Sequence, residues 1–123
     1  MEELKNISPR DYQKAIVETA KNNNTLVVLP TGIGKTLIAL MLSIERMKKF
    51  PGKKVLILAP TRPLVEQHLE SFKKTLPELF AQIDIFTGSV NSDKRKQIWN
   101  SAEIVFSTPQ CTANDLRNSL YNL

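Results

Sequence analysis

Two apolar patterns alternate along the chain: short continuous runs, and longer segments in which apolar residues recur every three or four positions. Ser8 suits a helix cap, Pro9 the first helical position, and Asp11 completes a loose capping box. Tyr12, Ala15, Ile16 and Ala20 follow at helical spacing, which predicts a helix over 9–22. Lys21-Asn22-Asn23-Asn24 reads as its end and a turn. Residues 25–29 (Thr-Leu-Val-Val-Leu) form the first apolar run, the pattern of a strand covered on both faces. A second helix is expected over 35–49, with apolar residues nearly encircling it and hence deeply packed.

Pro51-Gly52 turns the chain into a second strand over 55–58, followed by a helix over 63–75. A third strand is predicted over 83–86, a basic helix over 93–100, and a fourth strand over 104–106. A last helix begins near Gln110 and is expected to reach the end of the chain. Strand and helix thus alternate four times, which predicts an α/β domain with a parallel sheet between two helical layers. Ligands of such sheets bind beyond the carboxyl ends of the strands, so the residues directly after each strand matter most.

The 123 residues suffice for one small domain, and a hydrophobic fraction of 41% with 24% charged residues is ordinary for a globular protein. Lys and Arg outnumber Asp and Glu by 17 to 12, a net charge of +5. That excess permits a nucleic-acid partner and equally suits a solvated basic surface. The single cysteine, Cys111, rules out an internal disulfide and a cysteine-held zinc, and predicts a reducing, cytoplasmic location. Nothing nearby in sequence would activate its thiol, so it reads as packing. No apolar run approaches the ~18 residues of a membrane span, and the charged N-terminus lacks a signal-peptide core.

Chemistry enters after the first apolar run, with Leu29-Pro30-Thr31-Gly32-Ile33-Gly34-Lys35-Thr36 leading into a helix. This is a phosphate-binding loop in its required strand–loop–helix setting. Gly32 and Gly34 let successive N–H groups converge on an anion, and the helix N-terminus adds partial positive charge. Lys35 can reach the outer phosphates, and the Thr36 hydroxyl can bind the magnesium ion that bridges them. The general pattern begins with Gly, and Leu29 departs from it.

The other strand ends carry small anion-binding elements. Thr61, in Ala59-Pro60-Thr61-Arg62-Pro63-Leu64-Val65, offers a hydroxyl at a helix start, and Arg62 can pair with a phosphate; the plainer reading is a turn with a surface Arg. Thr87-Gly88-Ser89 supplies backbone N–H groups and two hydroxyls, or is an ordinary turn. Ser107-Thr108-Pro109-Gln110 is another hydroxyl-bearing helix start. Together at one sheet edge, beside a phosphate loop, they suggest a second anion track.

This set resembles the superfamily 2 helicases. Residues 29–36 look like their first motif, Leu29 included for the Dicer-like and Fanconi-anaemia group M-like branch. Residues 59–68 (Ala-Pro-Thr-Arg-Pro-Leu-Val-Glu-Gln-His) look like motif Ia, Thr87-Gly88 like motif Ib, and Ser107-Thr108-Pro109-Gln110 like the Thr-Pro motif. Arg10-Asp11-Tyr12-Gln13 looks like the upstream adenine-sensing element. The wording is most similar to the archaeal Hef and Fanconi-anaemia group M group of DNA translocases, over residues 9–120.

The resemblance implies that residues 1–123 are part of the N-terminal RecA-like, ATP-binding lobe of a P-loop helicase. It implies ATP and Mg2+ as cofactors, held by Arg10, Gln13, Thr31, Gly32, Ile33, Gly34, Lys35 and Thr36, with Thr36 on the metal. Gln13 would hydrogen-bond the adenine edge, which suits an amide that donates and accepts at once; the plainer reading is a solvent-facing helix residue. Thr61, Arg62, Gly88 and Thr108 would contact a nucleic-acid backbone. The group implies DNA rather than RNA, a distinction that backbone contacts carry little of. The remaining helicase lobes are implied as partners, in cis or in trans, and no membrane is.

Hydrolysis in this family also uses an Asp-Glu pair at a strand end. No apolar run here ends in two acids: Glu2-Glu3 follows no strand, Asp84 lies inside one and Glu103 precedes one. The chain is therefore expected to be truncated before that motif and not to hydrolyse ATP alone. Alternatives are a non-catalytic nucleotide- or nucleic-acid-binding module, an RNA helicase fragment, or a small-molecule kinase, against which the Pro-Thr-Arg and Thr-Pro elements speak. His68 reads as a plain helix residue, Trp99 as a helix anchor, and Lys94-Arg95-Lys96 as a solvated face or a support for a nucleic-acid path.

Overall fold

Alternate residues of three short parallel strands face opposite helical layers. The structure, a computed structural model, describes residues 8–29, 34–76, 82–86 and 90–123. Helix α1 (Asp11–Ala20) and helix α2 (Lys35–Lys49) precede strand β1 (Val55–Leu58). Then come α3 (Arg62–Thr75), β2 (Ile83–Phe86), α4 (Ser92–Ser101), β3 (Ile104–Ser107) and α5 (Pro109–Arg117). The sheet order is β1-β3-β2. Val55, Ile104 and Ile83 share one register level, and Leu58, Ser107 and Phe86 share the last.

The period-2 alternation of strands sorts the core into two faces. Val55, Ile57, Ile83, Ile85, Ile104 and Phe106 pack against α2 and α3, through Leu40, Ile44, Val65, Leu69 and Phe72. Phe72 meets Phe106 edge to face at 5.0 Å. Leu56, Phe86 and Val105 face the other way, onto Ile98, Ala102 and Tyr121. The result is the three-layer α/β/α arrangement that the alternation predicts.

Trp99 stacks on Tyr121 at 4.5 Å and lies against Phe86, so it anchors α4 as expected. The basic run divides: Lys94 and Lys96 are exposed, while Arg95 turns inward to the buried Asp115. Arg95 grips that carboxylate with two hydrogen bonds of 2.8 and 2.7 Å and donates a third to the Val90 carbonyl. The Tyr121 hydroxyl donates to the same carboxylate at 3.0 Å. Burial first, then this bond, pushes the Tyr121 phenol well above its ordinary range. A solvated-face reading therefore fails for Arg95, because a buried carboxylate needs a paired, hydrogen-bonded cation.

Residues 25–29 correct the sequence reading more sharply. The expected first strand is absent: the segment pairs with none of the described strands. Val27 and Leu29 pack on Val17, Ile38 and Met41 of α1 and α2, but Leu26 is 88% and Val28 80% exposed. The apolar run has one covered face instead of two, because helices lie on one side and no paired strand beside it.

Helix ends shift for local reasons. Arg10, not Ser8, caps α1, with the Gln13 side chain accepting its N–H at 2.8 Å. The last helix stops at Arg117 instead of running to the end. Ser119 takes a positive φ of 55°, the Ser119 N–H reaches the Leu116 carbonyl, and the Leu120 N–H reaches that of Asp115. That is a Schellman-type stop, which satisfies carbonyls the helix would leave open. Among the described residues no helix is long and apolar enough to cross a membrane.

Candidate nucleotide and nucleic-acid site

The expected phosphate site opens on the first turn of α2. Gly34 sits just before it in the left-handed region, φ 84° and ψ 33°. A side chain there is unfavourable on two counts, since that backbone region disfavours L-residues and an added Cβ would lie 2.3 Å from Gln13 Nε2. Gly34 has no side chain to cap the helix, and a helix start whose N–H groups carry no side-chain cap is the kind that receives an anion. Lys35 is exposed beside them. Thr31, Gly32 and Ile33, expected to complete the cradle, lie outside the described residues.

Gln13 is buried, not solvent-facing as the plainer reading had it. Its Oε1 accepts from the Arg10 N–H and its Nε2 donates to the Gly34 carbonyl at 3.4 Å. The upstream element is thereby tied to the loop glycine, 21 residues later in sequence. Arg10 itself is exposed at the head of α1. The turn between α1 and residues 25–29 is held from below: Arg46 donates to the Lys21 carbonyl at 2.8 Å and Lys49 to Asn22 Oδ1 at 2.7 Å.

Thr36 has a partner that its sequence context does not announce. Its Oγ1 lies 3.3 Å from His68 Nδ1 on α3. The only available signal was helical spacing: His68 falls between Val65 and Leu69, both buried, and so on the inward edge of its helix. Which residue it meets depends on how α3 lies against α2.

At the carboxyl edge of the sheet, Leu58, Phe86 and Ser107 end level with one another. The chain therefore leaves β1, β2 and β3 toward Thr61, Gly88 and Thr108 from one line. Thr61 caps α3, its hydroxyl oxygen accepting from the Leu64 N–H, and Thr108 caps α5 in the same way from Cys111, both at 3.4 Å. Each cap is extended, and proline, which has no N–H to leave unsatisfied, stands second in α3 (Pro63) and first in α5 (Pro109). Arg62 is exposed and its Nε donates to Glu66 at 3.1 Å, a pair weak enough to yield to a phosphate. Gly88 lies outside the described residues. Ser107 is fully buried, donating to the Thr108 carbonyl and accepting from Thr112, so its hydroxyl braces the start of α5.

The DEAD/DEAH box helicase family matches residues 10–123. The chain belongs to this family. Similar proteins agree with the subgroup resemblance read from the motifs. The chain is 40% identical to the DEAD-box ATP-dependent DNA helicase Fancm of Drosophila melanogaster over 111 residues, which is 90% of this chain and 8% of that protein. It is 42% identical to the Fanconi anemia group M protein homolog of Mus musculus, over 90% of this chain and 6% of the other. The chain thus spans less than a tenth of these two relatives. The Hef helicase domain of Pyrococcus furiosus superposes on 94% of the chain and 24% of its own length, at 44% identity and a TM-score of 0.88. The three-layer sheet is the RecA-like fold of these helicases.

Cys111 is half-buried, and burial, then the Asp115 charge, raises its thiol above the ordinary range, which suits an inert packing residue. Among the described residues, no three His, Cys, Asp or Glu side chains gather to hold a metal.

Proposed function

We propose that this chain binds the phosphates of ATP with magnesium at the start of α2, as part of the ATP-binding lobe of a superfamily 2 DNA helicase or translocase. The observation that carries it is Gly34: a left-handed glycine, pinned by Gln13, feeding an uncapped helix start that continues Lys-Thr. The donor set fits the ligand. Backbone N–H groups at a helix start and Lys35 suit phosphate, and the Thr36 hydroxyl suits a hard cation, which prefers oxygen. Thr31, Gly32 and Ile33 would complete the cradle, and Gln13 would hydrogen-bond the adenine edge, with Arg10 or Tyr12 against the base. Residues 1–123 would act as one unit with further helicase lobes, in cis or in trans.

Thr61, Arg62, Gly88 and Thr108 are proposed to follow a nucleic-acid backbone along the level strand ends. DNA is favoured because the Drosophila relative is named a DNA helicase. No apolar run in this sequence ends in the acidic pair that would position water, so the 123-residue chain is expected to bind nucleotide without turning it over.

Calorimetry of ADP with magnesium tests the first site. Lys35→Ala should weaken binding by about 1.5–3 kcal/mol, the usual loss for a hydrogen bond to a charged group, with the thermal midpoint unchanged. Equal affinity of the two proteins would refute the phosphate assignment. A low-salt titration of single-stranded DNA tests the second. Arg62→Ala should lower the affinity and flatten the log–log salt dependence by about one counterion, while Lys35→Ala leaves both unchanged. If Lys94→Ala abolishes binding and Arg62→Ala does not affect it, the basic helix α4 is the contact. A tighter complex with RNA of the same sequence would overturn the preference for DNA.

A further inference from the structure

A hydroxyl that ligates a cation through oxygen must turn its proton elsewhere. Threonine has one O–H donor and two lone pairs, and a metal occupies lone-pair density. If the proton has no acceptor, it is left to water or to the anionic ligand, and the side chain is free to rotate. His68 Nδ1 lies 3.3 Å from the Thr36 Oγ1, and the imidazole tautomer decides which of the two donates. A neutral imidazole protonated on Nε2 offers Nδ1 as an acceptor. Both residues are half-buried, so this contact is partly shielded from competing water.

The fold holds His68 in place. Val65, Leu69 and Phe72 of α3 pack into the same core as Leu40 and Ile44 of α2. Leu37, next to Thr36, packs on that core as well. These contacts set the rotation of α3 and present His68, one turn after Val65 and next to Leu69, to the first turn of α2. The contact joins residues 32 apart in sequence, and nothing in the local pattern of either helix requires it.

We propose that His68 is a positioning residue for magnesium: its Nδ1 accepts a hydrogen bond from the Thr36 hydroxyl and so orients the oxygen lone pairs toward the cation beside the phosphates. The inference rests on the phosphate-site reading above. It concerns only the metal-dependent part of nucleotide binding, because ADP without metal does not need the Thr36 lone pair.

The test compares ADP affinity with magnesium and with excess chelator, by calorimetry on the whole chain. His68→Leu keeps apolar bulk against α2 and removes the acceptor. It should lower the affinity for magnesium-ADP about fivefold, the scale of one neutral hydrogen bond, and leave the affinity for metal-free ADP unchanged. His68→Asn places an amide oxygen close to the position of Nδ1 and should restore most of the loss. In a Thr36→Val background, His68→Leu should have no further effect, since the pair acts as a unit. Unaltered magnesium-ADP affinity in His68→Leu would overturn the proposal. An equal loss with and without metal would also overturn it, because that is the mark of a packing defect. So would a His68→Asn protein no better than His68→Leu. A wild-type chain that binds no ADP under either condition would instead refute the phosphate-site reading, and the inference with it.

Discussion

Strand β3 and residues 25–29 are both short apolar runs followed by a helix start, and the fold treats them oppositely. Every residue of β3 is buried, with Ile104 and Val105 at 0% exposure, because β1 and β2 pair with it on either side and helices cover both faces. In the earlier run only Val27 and Leu29 find cover, while Leu26 and Val28 point outward. An apolar run states what a segment can bury. Whether it does so depends on neighbours supplied by other parts of the chain, since a strand covered on both faces needs adjacent strands to pair its backbone N–H and C=O groups. The contrast extends to the sites. The start of α5 after β3 is braced by Thr112, which donates to the Ser107 hydroxyl, whereas Gly34 before α2 is held by the Gln13 side chain of α1.

Three substitutions sharpen or break this contrast. The largest effect is expected at Ile104, where truncation to Ala should remove about 2–5 kcal/mol of stability, read as the urea midpoint at constant slope. A loss below about 1 kcal/mol would mean that the centre of the sheet can collapse around the gap. Next is Gly34→Ala, which combines a left-handed backbone with the Gln13 contact; the backbone alone should cost about 1–2 kcal/mol. Adding Gln13→Ala should relieve the clash but not the backbone, so stability returns only in part, while magnesium-ADP affinity stays low. Full recovery would show that steric conflict with Gln13, not the positive φ, is what demands glycine. The smallest effect is expected for Leu26→Ala, which should stay within about 0.5 kcal/mol because the side chain is 88% exposed. A destabilisation matching that of Ile104→Ala would show that Leu26 is covered in solution, and the two runs would then be equivalent.

Local sequence carried much of this molecule. Among the described residues, periodicity located the five helices and the three strands that pair, and proline and threonine marked the starts of α3 and α5. The Gly-Lys-Thr run placed the candidate phosphate site at a helix start, because the loop and the helix that follow it are continuous in sequence. These features depend on a residue and its near neighbours, and so a single chain displays them.

The rest required contacts across the fold. Arg95 reads as one of three solvated cations until α5 brings Asp115 within 2.7 Å, 20 residues on. His68 reads as a plain helix residue until α3 packs on α2 and sets it against Thr36. Residues 25–29 read as a doubly covered strand until the sheet is seen to pair without them. What the sequence alone determined is therefore each residue's chemistry and the type of those segments whose pattern is local, the helices and the strands that pair. Only the tertiary structure decided the partners, because burial and hydrogen bonding are settled by which elements lie side by side, and that placement is a property of the whole packed chain.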